Sequence, residues 1–69
     1  MKVYFQDYVK EFYSGNFNKD GDVRSIDTKE ETLNWFIEAS KANVHEKEGM
    51  HFFIEHIDSR HDRMTYWYE

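Results

Sequence analysis

The side chains that could do chemistry begin with four histidines, at positions 45, 51, 56 and 61. Zinc needs three or four convergent ligands. His51 and His56 have opposite parity on one strand, so they face opposite ways and cannot share an ion. His56 and His61 could meet across a loop with Asp58 or Asp62, but the plainer reading is solvated loop and strand histidines. Cysteine is absent, which removes disulfides, thiolate metal sites and thiol catalysis together. None of Ser14, Ser25, Ser40 and Ser59 has a glycine-rich elbow or a neighbouring His–acid pair of the usual form. A triad would also need a pocket and a rigid supporting shell, and so short a chain has little room for either. The expectation is a protein that is not an enzyme and carries no cofactor.

The run Asn16-x-Asn18-x-Asp20-Gly21-Asp22-Val23 with Asp27 has a more specific spacing. It places oxygen side chains at positions 1, 3, 5 and 12 of a twelve-residue loop, glycine at 6 and an apolar residue at 8. Over those residues the chain resembles an EF-hand, which implies a calcium-responsive helix–loop–helix as an alternative reading. It departs from that pattern at both ends. Position 1 is Asn16 instead of Asp, and position 12 is Asp27 instead of a bidentate Glu. The preferred reading is a polar turn leading into a strand, with no tight calcium site and no metal.

Arg60-His61-Asp62-Arg63, beside Tyr66, Trp67 and Tyr68, has the basic and aromatic interleaving of single-strand binders. Glu55, Asp58, Asp62 and Glu69 would oppose phosphate, so a solvated turn with loose ion pairs is preferred. Trp35 is the other residue that stands out. On a helix starting near Thr28 it projects away from the face of Leu33, Phe36 and Ile37. It is therefore either a binding residue or the centre of a second core under the N-terminal segment.

These residues must be held by elements cut out by Gly15, Gly21 and Gly49. In residues 2–14, Tyr4, Phe5, Tyr8, Val9 and Phe12 fall in one arc at helical spacing while strand alternation fails, so the periodicity predicts a helix. The propensities of Val, Tyr and Phe oppose it, and so does the hairpin-like turn Asn18-Lys19-Asp20-Gly21. Residues 22–26 alternate and read as a strand. Asp27 or Thr28, with the capping box Thr28-Lys29-Glu30-Glu31, starts a helix over 28–43. Two apolar runs, Met50–Ile57 and Arg63–Glu69, form a hairpin. Pairing Ile57 with Arg63 puts Met50, Phe52, Ile54, Met64, Tyr66 and Tyr68 on a core face and Phe53 opposite Trp67 on a mixed face. The expected fold is a single α+β domain, residues 1–69, with a three-stranded, mainly antiparallel sheet, the central helix and an N-terminal helix. The alternative takes residues 8–17 as a strand, giving hairpin–helix–hairpin (ββαββ).

Composition limits the function. With 69 residues the core is small, whereas 19% of residues are aromatic, more than such a core easily hides. The net charge of −5, with no Lys/Arg stripe in the sequence, argues against direct nucleic-acid binding. No apolar run reaches a membrane span of about 20 residues, and Met1-Lys2-Val3-Tyr4-Phe5-Gln6-Asp7 does not look like a signal peptide, so a cytoplasmic location is expected. The reading is a small acidic protein-binding module, an inhibitor or accessory protein of phage or mobile-element type that occludes a partner surface. Its partner would be another protein or a second copy, contacted through Trp35, Phe53, Ile57, Arg63 and Trp67.

Overall fold

The computed structural model describes residues 1–11, 13–56 and 62–69. The chain runs β1 (Lys2–Lys10), β2 (Phe17–Asp27), α1 (Glu30–Ser40), β3 (His45–Lys47), β4 (Met50–His56) and β5 (Asp62–Tyr68). The strands make one five-stranded sheet in the order β2-β1-β5-β4-β3, antiparallel throughout, with α1 across one face. This overturns the three-stranded sheet with an N-terminal helix. The alternative order also differs, because its strand over 8–17 is instead Lys2–Lys10 and because β3 is additional.

The N-terminal segment is a strand because its two faces have different covers. Val3 and Phe5 point toward α1, while Tyr4 and Tyr8 point to the other side, next to Trp67 and Arg63. A central strand that is apolar on both faces shows no alternation. The predicted turn Asn18–Gly21 lies inside β2, where the register against β1 shifts between Phe5 and Asp7. Gly21 takes φ 78° at this bulge, and the amide of the buried Gln6 donates to the Gly21 carbonyl at 3.0 Å. The actual connection, residues 11–16, closes by hydrogen bonds between Glu11, Gly15 and Asn16.

The central helix is shorter than expected at both ends. Lys29 occupies the N-cap position with no side-chain cap, in place of Asp27 or Thr28. At the other end Lys41 takes the left-handed conformation (φ 55°), its N–H donates to Glu38 O and that of Ala42 donates to Ile37 O. That is a Schellman stop with lysine where glycine is usual. The β3–β4 turn is similar, since a two-residue type I′ connection needs φ > 0 at both positions, here Glu48 (53°) and Gly49 (81°).

In the β4–β5 hairpin the register is one residue away from the expectation. His56, not Ile57, pairs with Arg63, so Phe53 faces Tyr66 and Phe52 faces Trp67. Ile57 itself lies outside the described residues. The slip seats Phe53 in the core, fully buried with Val3 and Leu33 and surrounded by Phe36, Ile37, Ala42, Tyr66 and Tyr68. The Phe53 and Tyr66 rings stack at 4.7 Å and 13°, and Phe36 meets Tyr66 edge-on at 5.4 Å. The register also turns Glu55 toward the helix side, where the Tyr66 hydroxyl donates to it at 3.0 Å.

Two stability predictions come from these contacts. Left-handed residues other than glycine are strained, so Lys41→Gly and Glu48→Asn should each raise stability by about 0.5–1 kcal/mol. Denaturant midpoints that fall in both variants would contradict the cap and turn geometry.

Burial, then the hydrogen bond and charge of Glu55, push the Tyr66 hydroxyl well above its ordinary pKa, and burial raises Tyr68 as well. A tyrosine raised in the folded state contributes stability below its unfolded pKa of about 10, and this is lost as pH climbs past it. Stability should therefore fall from about pH 10 upward, with a shallower alkaline fall in Tyr66→Phe. That variant should also lose about 1–3 kcal/mol at neutral pH, because the Glu55 carboxylate is left unpaired. An alkaline loss equal in the two proteins would rule this out.

Candidate functional site

Pairing register sorts the strand residues onto two faces. The helix side receives Val3, Phe5 and Asp7 from β1, Met64, Tyr66 and Tyr68 from β5, and His51, Phe53 and Glu55 from β4. The opposite face has no element packed across it among the described residues. There one register row crosses all five strands: Ser25, Tyr4, Trp67, Phe52 and His45. Tyr4 and Trp67 are near parallel, 5.9 Å apart and 15° between planes, and His45 stacks on Phe52 at 5.6 Å and 28°. Tyr4, Phe52 and Trp67 are each half-buried, so ring surface remains in contact with water.

The cations follow the same sorting. Lys2, Lys10, Lys19, Lys47 and Arg63 all occupy open-face positions, and the acid among their paired neighbours is Asp27, which the Met1 amine bridges at 3.0 Å. Asp7, Asp20, Glu46 and Glu55 occupy helix-side positions, where Arg24 is bonded to Asp7 at 2.9 Å. The chain is acidic as a whole and basic on its uncovered face.

Arg63 shows how that face is built. Its guanidinium lies 3.9 Å from the Phe17 ring centroid and 5.5 Å from that of Tyr8, in cation–π range. Its Nε is enclosed with no hydrogen-bond partner among the described residues. The Lys2 ammonium sits 5.5 Å over Tyr4. The aromatic row is thus flanked by Lys2 and Lys47 on one side and by Arg63, Lys10 and Lys19 on the other.

The residues singled out from sequence are dispersed. Arg63 and Trp67 share the open face, Phe53 is in the core, and Trp35 is 68% exposed on the outer side of α1. No second core forms over Trp35. The mixed face with Phe53 beside Trp67 does not exist, because one residue of register separates them onto opposite sides. Tyr4, Tyr8, Lys2 and Lys10 were missed because a helix over 2–14 scatters them, and Phe52 because the expected register put it on the core face.

The EF-hand reading also changes. Asn18, Asp20, Asp22 and Asp27 lie along the continuous strand β2, preceded by Asn16, with a strand on one side in place of a helix. At about 3.3 Å per residue, the eight steps of β1 that pair with Phe17–Asp27 hold the ends of that run about 26 Å apart. Among the described residues no cluster of His, Asp or Glu is placed to hold a metal ion. His51 and His56 do face opposite ways. His51 stacks on Tyr68 at 5.1 Å on the helix side, while His61 and Arg60 lie outside the described residues.

A second feature is an apolar hollow of about 280 Å³ beside α1, lined by Val3, Phe5, Ile26, Leu33, Phe36 and Tyr66 with Thr28 and Thr32. It is near the lower size limit of ligand sites and offers few polar groups to orient a molecule. No helix among the described residues is long and apolar enough to cross a membrane. No protein-family model, curated protein or solved structure matches the chain.

The placements predict a clear order of stability effects. Phe53→Ala should cost about 3–5 kcal/mol, enough to unfold much of so small a domain. Trp35→Ala should stay within about 0.5 kcal/mol of wild type. Trp67→Ala should fall between them. Urea titrations give the order directly, and a Trp35→Ala loss as large as that of Phe53→Ala would refute it.

Proposed function

We propose that this chain works by binding, and that the open face of its sheet is the contact surface. One observation carries the reading: aromatic side chains and basic charge are gathered on the face that α1 leaves bare, while acids gather on the other. The expected mode of action, occlusion of a partner surface by a small acidic module, fits this face. Its residues are Tyr4, Tyr8, Phe52, Arg63 and Trp67, in place of the set Trp35, Phe53, Ile57, Arg63 and Trp67.

The charge selects the partner's character. An acidic surface or chain would be steered toward the lysines and held by the rings. A two-fold homodimer through this face would set lysines against lysines, which argues against a second copy. The area also matters. Five strands about 4.8 Å apart and about 20 Å long present roughly 400–500 Å², so a complex would bury about 1,000 Å² in total. That is the low end for specific interfaces, and it suits a small or linear partner better than a broad globular one.

The test is capture from an extract of the native host, with retained protein and nucleic acid both analysed. Material held by wild type should be lost with Trp67→Ala and with Lys2→Ala/Lys19→Ala, and kept with Trp35→Ala. Identical retention by all variants would remove the open face as the working surface.

A further inference from the structure

Resting on that reading of the open face, we infer that its ligand is a single-stranded nucleic acid. Single-strand binders combine two features: rings that stack bases without regard to sequence, and a positive surface that follows the phosphates. Both are present here and in register with each other. The row Tyr4, Trp67, Phe52 and His45 crosses four adjacent strands, with near-parallel rings at 5.9 Å and 5.6 Å within its two measured pairs. Lys2 is one pleat repeat along β1 from Tyr4, and Lys47 is the same step from His45 on β3. On the other flank Arg63 lies two such steps along β5 from Trp67, and Lys19 pairs with Tyr8. A strand laid across the sheet therefore meets rings along its middle and cations on both sides.

Net charge argued against this ligand in the sequence, but net charge is the wrong quantity once the register is known. Asp7, Asp20, Glu46 and Glu55 lie on the helix side, Asp27 is bridged by the Met1 amine, and Glu69 lies past the end of β5. A duplex is a poorer fit, because its bases are stacked on one another and offer no free face to the rings of Tyr4, Trp67, Phe52 and His45. An acidic peptide would use the cations and leave the ring faces without planar partners.

The experiment is fluorescence anisotropy with a labelled twelve-nucleotide oligothymidylate, an oligouridylate of equal length, a twelve-base-pair duplex and a poly-glutamate peptide, over a range of salt. Circular dichroism confirms that each variant is folded. Wild type should bind the single strands more tightly than the duplex or the peptide. Its affinity should fall with salt at a log–log slope of about −2 to −4, as expected when three to five cations neutralise phosphates on a single strand. Trp67→Ala should weaken binding by tenfold to a hundredfold, Trp67→Phe should restore much of it, and Trp35→Ala should have no effect. Lys2→Ala and Lys19→Ala should each lower affinity and reduce the slope by somewhat less than one. No binding at low salt, equal affinity for duplex or poly-glutamate, or indifference to Trp67→Ala would each overturn the assignment. If single strands fail while the open-face variants still lose captured protein, the ligand class is wrong and the working surface stands. If capture too is indifferent to those variants, both fail.

Discussion

The helix α1 has eleven residues, a length of about 16 Å, and it is the element that packs across the sheet among the described residues. The five strands span about 19 Å between outer axes. One helix of that size covers most of one face and none of the other, and much of the structure follows from this shortage. Among the described residues Phe53, Val3 and Leu33 are the buried apolar ones, and they lie where helix and sheet meet. The aromatics of the open face must be stabilised without a second layer. They achieve it laterally, ring against ring and cation over ring, as in Tyr4 with Trp67 and Arg63 with Phe17. Such contacts are individually modest, about 0.5–1.5 kcal/mol for an aromatic pair. They leave the rings half-buried, so the features that stabilise this face also keep it available.

The same small core explains why the sheet edges are guarded. β2 is eleven residues long with one edge unpaired, and a long free edge is an invitation to pair with another chain. Lys19, Asp20, Asp22, Arg24 and Asp27 put charge of both signs along it, and the bulge at Gly21 breaks its flatness. Gln6 makes that bulge affordable within a sheet, since its buried amide satisfies the carbonyl that the register shift would otherwise strand. Edge pairing is discouraged along β2 while the face remains open, which separates aggregation from recognition.

The central helix and the C-terminal hairpin were legible in the sequence, whereas the five-stranded sheet was not, and the parts that were missed have identifiable reasons. Leu33, Phe36 and Ile37 announce a helix with one apolar face, and the two runs around residue 60 announce a hairpin. The N-terminal strand was obscured because Val3 and Phe5 serve one face while Tyr4 and Tyr8 serve the other. Alternation vanishes in that case, and five apolar residues in nine then mimic a helical arc. Propensity was the better guide, since Val, Tyr and Phe favour strands. The register failed for a related reason. Phe52 and Phe53 are adjacent aromatics, one for each face, so apolarity cannot choose between them. Glu55 argues against the observed choice until Tyr66 is found to donate to it. Of the site, Trp67 and Arg63 were legible as candidates, but the lysines were not, because only the pairing shows that they share a face.

That sorting also bears on how an acidic chain can present a basic surface in solution. The helix side and the open face are separated by the thickness of the sheet and part of the helix layer, about 10 Å. At physiological ionic strength the Debye length is about 8 Å, so a ligand seated on the open face feels the distant acids weakly. It feels Lys2, Lys19 and Arg63 at contact, where screening is least effective. Below that ionic strength the acids reach further and oppose the approach of any polyanion, while they also turn the molecule so that its basic face leads. On the proposed reading, the net charge governs solubility and long-range encounter, whereas the open face governs what is held. A sequence-wide charge count merges two surfaces that the fold keeps apart. The quantity that would decide such binding is the charge on each side of the sheet, and β-pairing parity determines it.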